Sequence, residues 1–304
     1  MVGYNFVELK TNHIPRVLVL LERIFNNNYV SRKYVMKIQE QEVVDCNIGT
    51  NANPKIVKIS RALPNQHRDM YVILMKKNVD IFSWSYEDLK TFDTDIIQHK
   101  ISLKVGSKPF RKKIRKFNPL LMSIIEKELK RMLDAKIIVP LRYSYWVANL
   151  VPVRKKHGEM HLCVDFRNLN GCSLKDNYPL PKMDHIFQRE VGAHKISMLD
   201  GYFGYNQITM LEEDKEKTTF TTPWGTFMYD KMPFVLMNAG VTFQKAMDIA
   251  FVGKKDKFMV IYLDDITIFS KYDDEHLQHL KKIFQKCRRY GISLNPKKFH
   301  FYML

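Results

Sequence analysis

The stretch Phe258-Met259-Val260-Ile261-Tyr262-Leu263-Asp264-Asp265-Ile266-Thr267-Ile268-Phe269 sets two adjacent acids between two apolar, β-prone runs. Runs of this kind read as the arms of a hairpin, Phe258–Leu263 and Ile266–Ser270, with the acids at its tip. Two like charges held by half-buried strands are costly unless something positive neutralises them, and a divalent cation does so. Ordinary turn chemistry is the alternative, because Asp is a common turn residue.

Outward from this hairpin, a third acid lies in a similar setting. Asp200 closes the apolar run Lys195-Ile196-Ser197-Met198-Leu199-Asp200 just before Gly201-Tyr202. Carboxylates at the ends of neighbouring strands can bind two Mg²⁺ about 3.5–4 Å apart, the arrangement that activates an attacking oxygen and stabilises a leaving one in phosphoryl transfer. Composition points the same way. Of 304 residues, 49 are Lys or Arg and 32 are Asp or Glu, a formal charge of +17 that favours polyanionic partners, nucleic acid first. The longest apolar runs, such as Val17–Leu21, fall far short of a membrane span, and the N-terminus lacks a signal-peptide pattern, so the expectation is an intracellular, soluble chain. Four cysteines, Cys46, Cys163, Cys172 and Cys287, form no C-x-x-C pair, which sets aside a zinc knuckle or a disulfide framework.

Residues 1–90 read as a flanking region of uncertain structure, with an amphipathic stretch at Val17–Phe25 and helical spacing over Arg68–Asn78. Lys104–Lys116 places seven basic residues among no acids, with Phe110 and Phe117 interleaved, which reads as a phosphate track or as a solvated charge run. Asn118 as cap and Pro119 at the first helical position predict a helix to about Ala135, with Leu121, Ile125, Leu129, Met132 and Leu133 on one face. Strands are predicted at Tyr145–Val153 and Met160–Arg167, where period two puts His161, Asp165 and Arg167 on one polar face. A basic turn, Arg154–Gly158, joins them. Pro179 and Pro181 mark an extended connector before a helix at about Met183–Val191. Further strands are expected at Lys195–Asp200, Gln207–Met210, Lys217–Thr221 and Thr226–Lys231, and helices at about Ala239–Phe251 and Asp273–Tyr290. His276, His279 and Cys287 lie among Leu277, Leu280, Ile283 and Phe284 and read as a surface and core mixture rather than a metal site. Without a strict βαβα repeat the class is α+β.

The residues so far singled out sit in a frame that resembles the reverse transcriptase of gypsy-type LTR retrotransposons, particularly those of plants. The matching strings include Asp80-Ile81-Phe82-Ser83-Trp84, Cys163-Val164-Asp165-Phe166-Arg167-Asn168-Leu169-Asn170, Tyr178-Pro179-Leu180-Pro181 and Asp200-Gly201-Tyr202-Phe203-Gly204-Tyr205-Asn206-Gln207. They continue with Thr222-Pro223-Trp224-Gly225, Met232-Pro233-Phe234, Asn238-Ala239-Gly240-Val241-Thr242-Phe243-Gln244, Tyr262-Leu263-Asp264-Asp265 and Leu294-Asn295-Pro296-Lys297-Lys298. The resemblance implies a right-hand polymerase fold with an antiparallel palm sheet packed on helices. Residues 91–304 would form fingers (about 101–174 and 208–238) and palm (about 175–207 and 239–304), with the thumb absent.

It further implies an RNA-directed DNA polymerase that joins a deoxynucleoside triphosphate to a primer 3′-hydroxyl on an RNA or DNA template. Asp200, Asp264 and Asp265 would bind Mg²⁺ or Mn²⁺. Lys155, His161, Tyr205, Phe234 and Val235 would meet the nucleotide, Tyr205 as the ring beneath the incoming sugar and Lys155 on the triphosphate. Arg167, Tyr262, Asn238, Gln244, Lys112 and Lys113 would meet the template and primer. No membrane is involved, other polyprotein domains are possible partners, and the family works in cytoplasmic virus-like particles, with the nucleus as the other location.

Two positions depart from the pattern. His161 stands where the family has Arg, which removes a bidentate phosphate fork, and Val235 stands where it has Gly, which would be strained if the backbone there needs positive φ. The last residues, Phe299–Leu304, precede the segment that resembles the family's primer grip. The alternative expectation is therefore a nucleic-acid-binding copy that keeps the fold without synthesis.

Overall fold

The computed structural model describes residues 42–61, 63–154, 160–181, 193–255 and 257–303. Val17–Phe25, the predicted helix at Met183–Val191 and Lys155 lie outside the described residues. In chain order the elements are β1 (Val43–Asn47), β2 (Ile56–Ser60), α1 (Asn65–Lys77), α2 (Met122–Asp134), β3 (Ile138–Pro140), β4 (Ala148–Arg154), β5 (Met160–Val164) and α3 (Arg167–Cys172). They continue with β6 (Lys195–Asp200), α4 (Glu212–Lys215), β7 (Phe220–Thr222), β8 (Gly225–Tyr229), α5 (Ala239–Ala250), β9 (Met259–Tyr262), β10 (Asp265–Ser270), α6 (Asp273–Tyr290) and β11 (His300–Met303).

Three sheets organise these elements. β1 and β2 form a hairpin. β11-β6-β10-β9 form an antiparallel four-stranded sheet, and β3-β8-β7-β4-β5 a five-stranded one in which β4 and β7 run parallel. Every residue of β6, the strand between β10 and β11, is buried, its polar side chains included. One face rests on α6. Period two puts Lys195, Ser197 and Leu199 on that side, and Ser197 Oγ meets His276 Nε2 at 2.7 Å while Lys195 pairs with Asp273 at 2.8 Å. The opposite parity carries Ile196, Met198 and Asp200, paired across the ladder with Phe269, Thr267 and Asp265. α6 has acids in its first turn, bases in its last and Gly291 at its left-handed end. A Cβ at Gly291 would come within 2.4 Å of the Thr91 carbonyl, so only glycine ends the helix there.

The five-stranded sheet packs on α2, whose buried residues are Ile125, Leu129 and Met132. Asn118 accepts the Leu120 N–H at 3.0 Å as the predicted cap, but the first turn, Pro119–Leu121, is 3₁₀ and the α-helix starts at Met122.

Several expectations are corrected by the structure. Residues 42–90, part of the region whose structure the sequence left open, are bonded into the core: Leu294 donates to the Ile81 carbonyl at 2.8 Å and Ser83 donates to the Leu294 carbonyl at 3.0 Å. Phe82 meets the rings of Phe284 and Phe299 edge-on. No sequence periodicity announces this pairing, because it is made by isolated backbone bonds across more than 200 residues. Gln207–Met210 is not a strand: Gly204–Gln207 forms a 3₁₀ turn, and Thr209 and Met210 make only single bridges to Lys231 and His99. The strand predicted from Lys217 begins at Phe220, since Glu216–Thr218 completes a 3₁₀ turn. β5 ends at Val164, so Asp165 and Arg167 leave the face of His161, and Arg167 opens α3. Among the described residues no helix is long and apolar enough to cross a membrane.

Candidate active site

The hairpin β9–β10 closes through Leu263 and Asp264, with Tyr262 and Asp265 paired at its base. Leu263 takes φ +55°, the left-handed conformation that a two-residue hairpin loop demands. β10 then pairs with β6 so that Asp265 is opposite Asp200, and the Gly201 N–H donates to the Asp264 carbonyl at 3.0 Å. The three acids separated by 64 residues in sequence are thus neighbours at one end of the sheet. Asp200 is 7% exposed. Burial raises its pKa above the ordinary carboxylate value, the Lys298 ammonium opposes that rise and the Asp264 carboxylate adds to it. Lys298 Nζ lies 3.2 Å from Oδ1 and 3.1 Å from Oδ2 of Asp200, and Asn295 Nδ2 donates to Oδ2 at 3.3 Å. One oxygen of each of Asp264 and Asp265 is shut off from solvent.

This donor set, hard carboxylate oxygens on rigid strand ends, suits Mg²⁺ or Mn²⁺. Among the described residues, however, no three metal-ligating side chains stand close enough to hold one ion. The Lys298 ammonium lies against Asp200 and offsets part of its charge.

Two glycines shape the floor. A Cβ at Gly240, on the first turn of α5, would lie 3.3 Å from Leu263 Cδ2 and 3.9 Å from the Tyr205 hydroxyl, and one at Gly204 would strike the Phe243 ring at 2.9 Å. Tyr205 is half-buried with its ring centroid 5.4 Å from that of Phe243. The structure therefore brings Tyr205 to the turn that carries the acids. Phe234 is 53% exposed, and Val235 is half-buried beside it. Val235 is absent from the positive-φ residues, which are Lys136, Phe203 and Leu263 outside glycine, so the expected backbone strain does not arise. Asn170, from α3, clamps this loop by donating to the Val235 carbonyl and accepting the Met237 N–H, both at 2.9 Å.

Other predicted residues have different tasks. Gln244 is fully buried, so it cannot touch a nucleic acid; its Oε1 accepts the Leu263 N–H at 2.8 Å and holds the turn. Asn238 spends its amide on the connector, accepting the Asp176 N–H and donating to the Leu174 carbonyl. Lys112 Nζ and the Arg167 guanidinium both bind Asp165, at 2.7 and 2.8 Å, and hold its carboxyl well below the usual range, Arg167 contributing most. Lys112 is thereby turned in from the basic track, while the Arg167 side chain stays 85% exposed. Lys113 is exposed, as are Lys108, Arg111, Arg115 and Lys116. His161 is half-buried on β5, opposite Val153. His276 and His279 are each buried against a serine hydroxyl, Ser197 and Ser270. The sequence reading gave no role to Lys298, Asn295, Asn170, Gly240 or Asp248. All but Asp248 lay inside the quoted strings, where nothing said which residue the fold would turn toward the site.

Residues 153–303 match the reverse transcriptase (RNA-dependent DNA polymerase) family. This stretch, about half of the chain, is similar to reverse transcriptase domains, and the chain has homology to the Pol polyproteins of retrotransposons and caulimoviruses. It is 33% identical over 204 residues to the enzymatic polyprotein of Cauliflower mosaic virus (strain CM-1841), covering 66% of this chain and 30% of that one. It is 25% identical over 305 residues to the Pol polyprotein from transposon 412 of Drosophila melanogaster, covering 98% of this chain and 24% of that one. The fold is similar to that of the prototype foamy virus protease-reverse transcriptase, with a TM-score of 0.70 and 21% identity over 79% of this chain and 31% of that chain. The right-hand polymerase fold follows. The foamy viral protein in complex with an RNA/DNA hybrid also gives a TM-score of 0.70, at 17% identity over 79% of this chain and 32% of that one. The chain spans about a third or less of each of these relatives.

Proposed function

We propose that this domain acts as an RNA-directed DNA polymerase, adding deoxynucleotides to a primer 3′-hydroxyl on an RNA or DNA template. The observation that carries the reading is the register of Asp265 against Asp200, with Asp264 bonded through its carbonyl to Gly201. Asp200, Asp264 and Asp265 would hold Mg²⁺ or Mn²⁺, which when bound neutralises the charge that develops in phosphoryl transfer. Tyr205 would form the wall under the incoming sugar, and Phe234 and Val235, clamped by Asn170, the side of the nucleotide pocket. Lys155 and His161 would meet the triphosphate. The exposed cations Lys108, Arg111, Lys113, Arg115 and Lys116, beside a Phe110 that is 43% exposed, suit a single-stranded template. The foamy viral relative in complex with an RNA/DNA hybrid supports this class of partner. An alignment over 98% of this chain to a transposon Pol polyprotein supports a retrotransposon origin, and the matched strings are our ground for placing it in the gypsy type of LTR retrotransposon.

The test is primer extension on oligo(dT)-primed poly(rA) with Mg²⁺ or Mn²⁺, beside Asp264→Asn. Extension by the parent and none by the variant upholds the reading; equal extension by both refutes it. One observation favours a second reading, a fold that binds nucleic acid without synthesis: His161 lacks the guanidinium fork for a triphosphate. Salt-sensitive duplex binding with no extension, unrestored by His161→Arg with Val235→Gly, would select it.

A further inference from the structure

The Leu263 N–H that Gln244 accepts belongs to a leucine in a left-handed conformation, which a branched side chain does not hold unaided. The orientation of the Gln244 amide therefore matters. Turned over, it would present NH₂ to the Leu263 N–H, and the bond would be lost. Asp248 lies one helical turn further along α5, and Gln244 Nε2 donates to its Oδ1 at 3.1 Å. A carboxylate only accepts, so Asp248 dictates that the NH₂ faces it and that Oε1 faces the turn. The other acceptor near Nε2, the Ile261 carbonyl, stands at 3.5 Å, the edge of hydrogen-bonding distance. Asp248 is itself fixed from two more segments: the Tyr178 hydroxyl donates to Oδ2 at 2.6 Å, and Lys255 Nζ lies 2.7 Å from Oδ1.

We propose that Asp248 is a positioning residue for the Asp264–Asp265 turn, acting through the orientation of the Gln244 amide and tying that turn to Tyr178 and Lys255. It rests on the reading of those two acids as groups that serve nucleotidyl transfer. Asp248 touches neither primer nor nucleotide in this scheme. It sets where the two carboxylates stand.

The contact has a polarity that can be reversed. Gln244→Glu places a second carboxylate against Asp248. Adding Asp248→Asn restores a donor and acceptor pair and keeps the charge. It leaves a Glu oxygen for the Leu263 N–H and an Asn carbonyl for the Tyr178 hydroxyl, while the Asn NH₂ replaces Oδ1 and the Lys255 ammonium must turn from it to the new carboxylate.

Amide exchange at Leu263 in the metal-free full chain, followed by NMR with ¹⁵N-leucine, reads the turn directly. Gln244→Glu and Asp248→Ala are each expected to lose about tenfold in protection, the scale of one hydrogen bond. The double variant Gln244→Glu/Asp248→Asn is expected to return to within about threefold of the parent, and Lys255→Met, which leaves the amide contact alone, to stay there. In primer extension, kcat should fall in the single variants with KM for nucleotide unchanged, and recover in the double variant. Parent-like protection at Leu263 in Asp248→Ala, or a double variant as unprotected as Gln244→Glu, would overturn the proposal. Because exchange is measured without metal, primer or nucleotide, a parent that extends no primer while Asp248→Ala loses protection would count against the polymerase reading and uphold the positioning role.

Discussion

Asp265 stands directly opposite Asp200 across the β6–β10 ladder, and both oxygens of Asp200 are held by the Lys298 ammonium at 3.1–3.2 Å. A buried carboxylate with a like charge beside it needs a counterion, and Lys298, on the Asn295–Lys298 turn, supplies one.

Lys298→Met is therefore expected to lower the Tm of the metal-free protein and to leave the Mn²⁺-saturated Tm near that of the parent. The Mn²⁺-induced rise in Tm becomes larger in the variant, which thermal unfolding with and without Mn²⁺ measures. An equal drop in both conditions would mean that Lys298 makes only a surface ion pair, since its side chain is 55% exposed.

Stability should fall in acid because of buried histidines, His276 and His99 foremost. Burial pushes His276 down to about 3, with His279 and Lys195 adding to the effect and Asp273 opposing it; burial pushes His99 down to about 4, with Asp214 opposing. Both are neutral in the fold while the unfolded chain takes up protons near 6.5. Below that pH the unfolded state binds more protons, so stability declines as pH falls, by up to about 1.4 kcal/mol per pH unit for each histidine. Above it this contribution is constant. Urea midpoints at pH 7.5 and 5.5 test this, and His99→Gln with His276→Gln should flatten the difference.

Gly240→Ala separates activity from stability. Alanine is the better helix residue by up to about 1 kcal/mol, so the variant should unfold no earlier than the parent. Its Cβ would press on Leu263 Cδ2 at 3.3 Å and displace the turn, and primer extension should drop about tenfold, the scale of a lost hydrogen bond. Leu263→Ala in the same chain should recover part of the loss. Unchanged extension would show that the turn tolerates the shift.

The loop at Val235 gives a fourth test. Since Val235 has no positive φ, Val235→Gly relieves nothing and should lower stability by about 1 kcal/mol. Asn170→Ala removes two hydrogen bonds to the same loop and should cost about 1–3 kcal/mol in urea unfolding, with KM for nucleotide rising more than kcat falls. A Val235→Gly protein more stable than the parent would contradict the backbone geometry.

What was legible in the sequence was what local periodicity encodes. The helix Asp273–Tyr290 stands where its apolar spacing and first-turn acids put it, and the hairpin forms as expected except that its loop is Leu263-Asp264, so Asp265 pairs with Tyr262 inside the strand instead of sharing the tip. Asp200, Asp264 and Asp265 could be picked out as strand-end acids from the apolar runs beside them. Strands at Gln207–Met210 and Lys217 were misread because short polar-apolar alternation also fits 3₁₀ turns, whose backbone bonds are satisfied locally.

The sequence by itself determined the elements, the charge, and the acids that stand out against apolar strands, because these depend on neighbours a few residues away. Only the tertiary structure decided what each polar group near the site does. Gln244 and Asn238 look alike in sequence as amides in a motif, yet one is sealed beneath the turn and the other ties down a connector. Lys298 is one lysine among many until the fold sets it against Asp200. Residues 42–90 join the core through bonds to Leu294 and Ser293 that span some two hundred positions. Hydrogen-bond partners and burial are properties of chain segments brought together from far apart, and no local pattern records them.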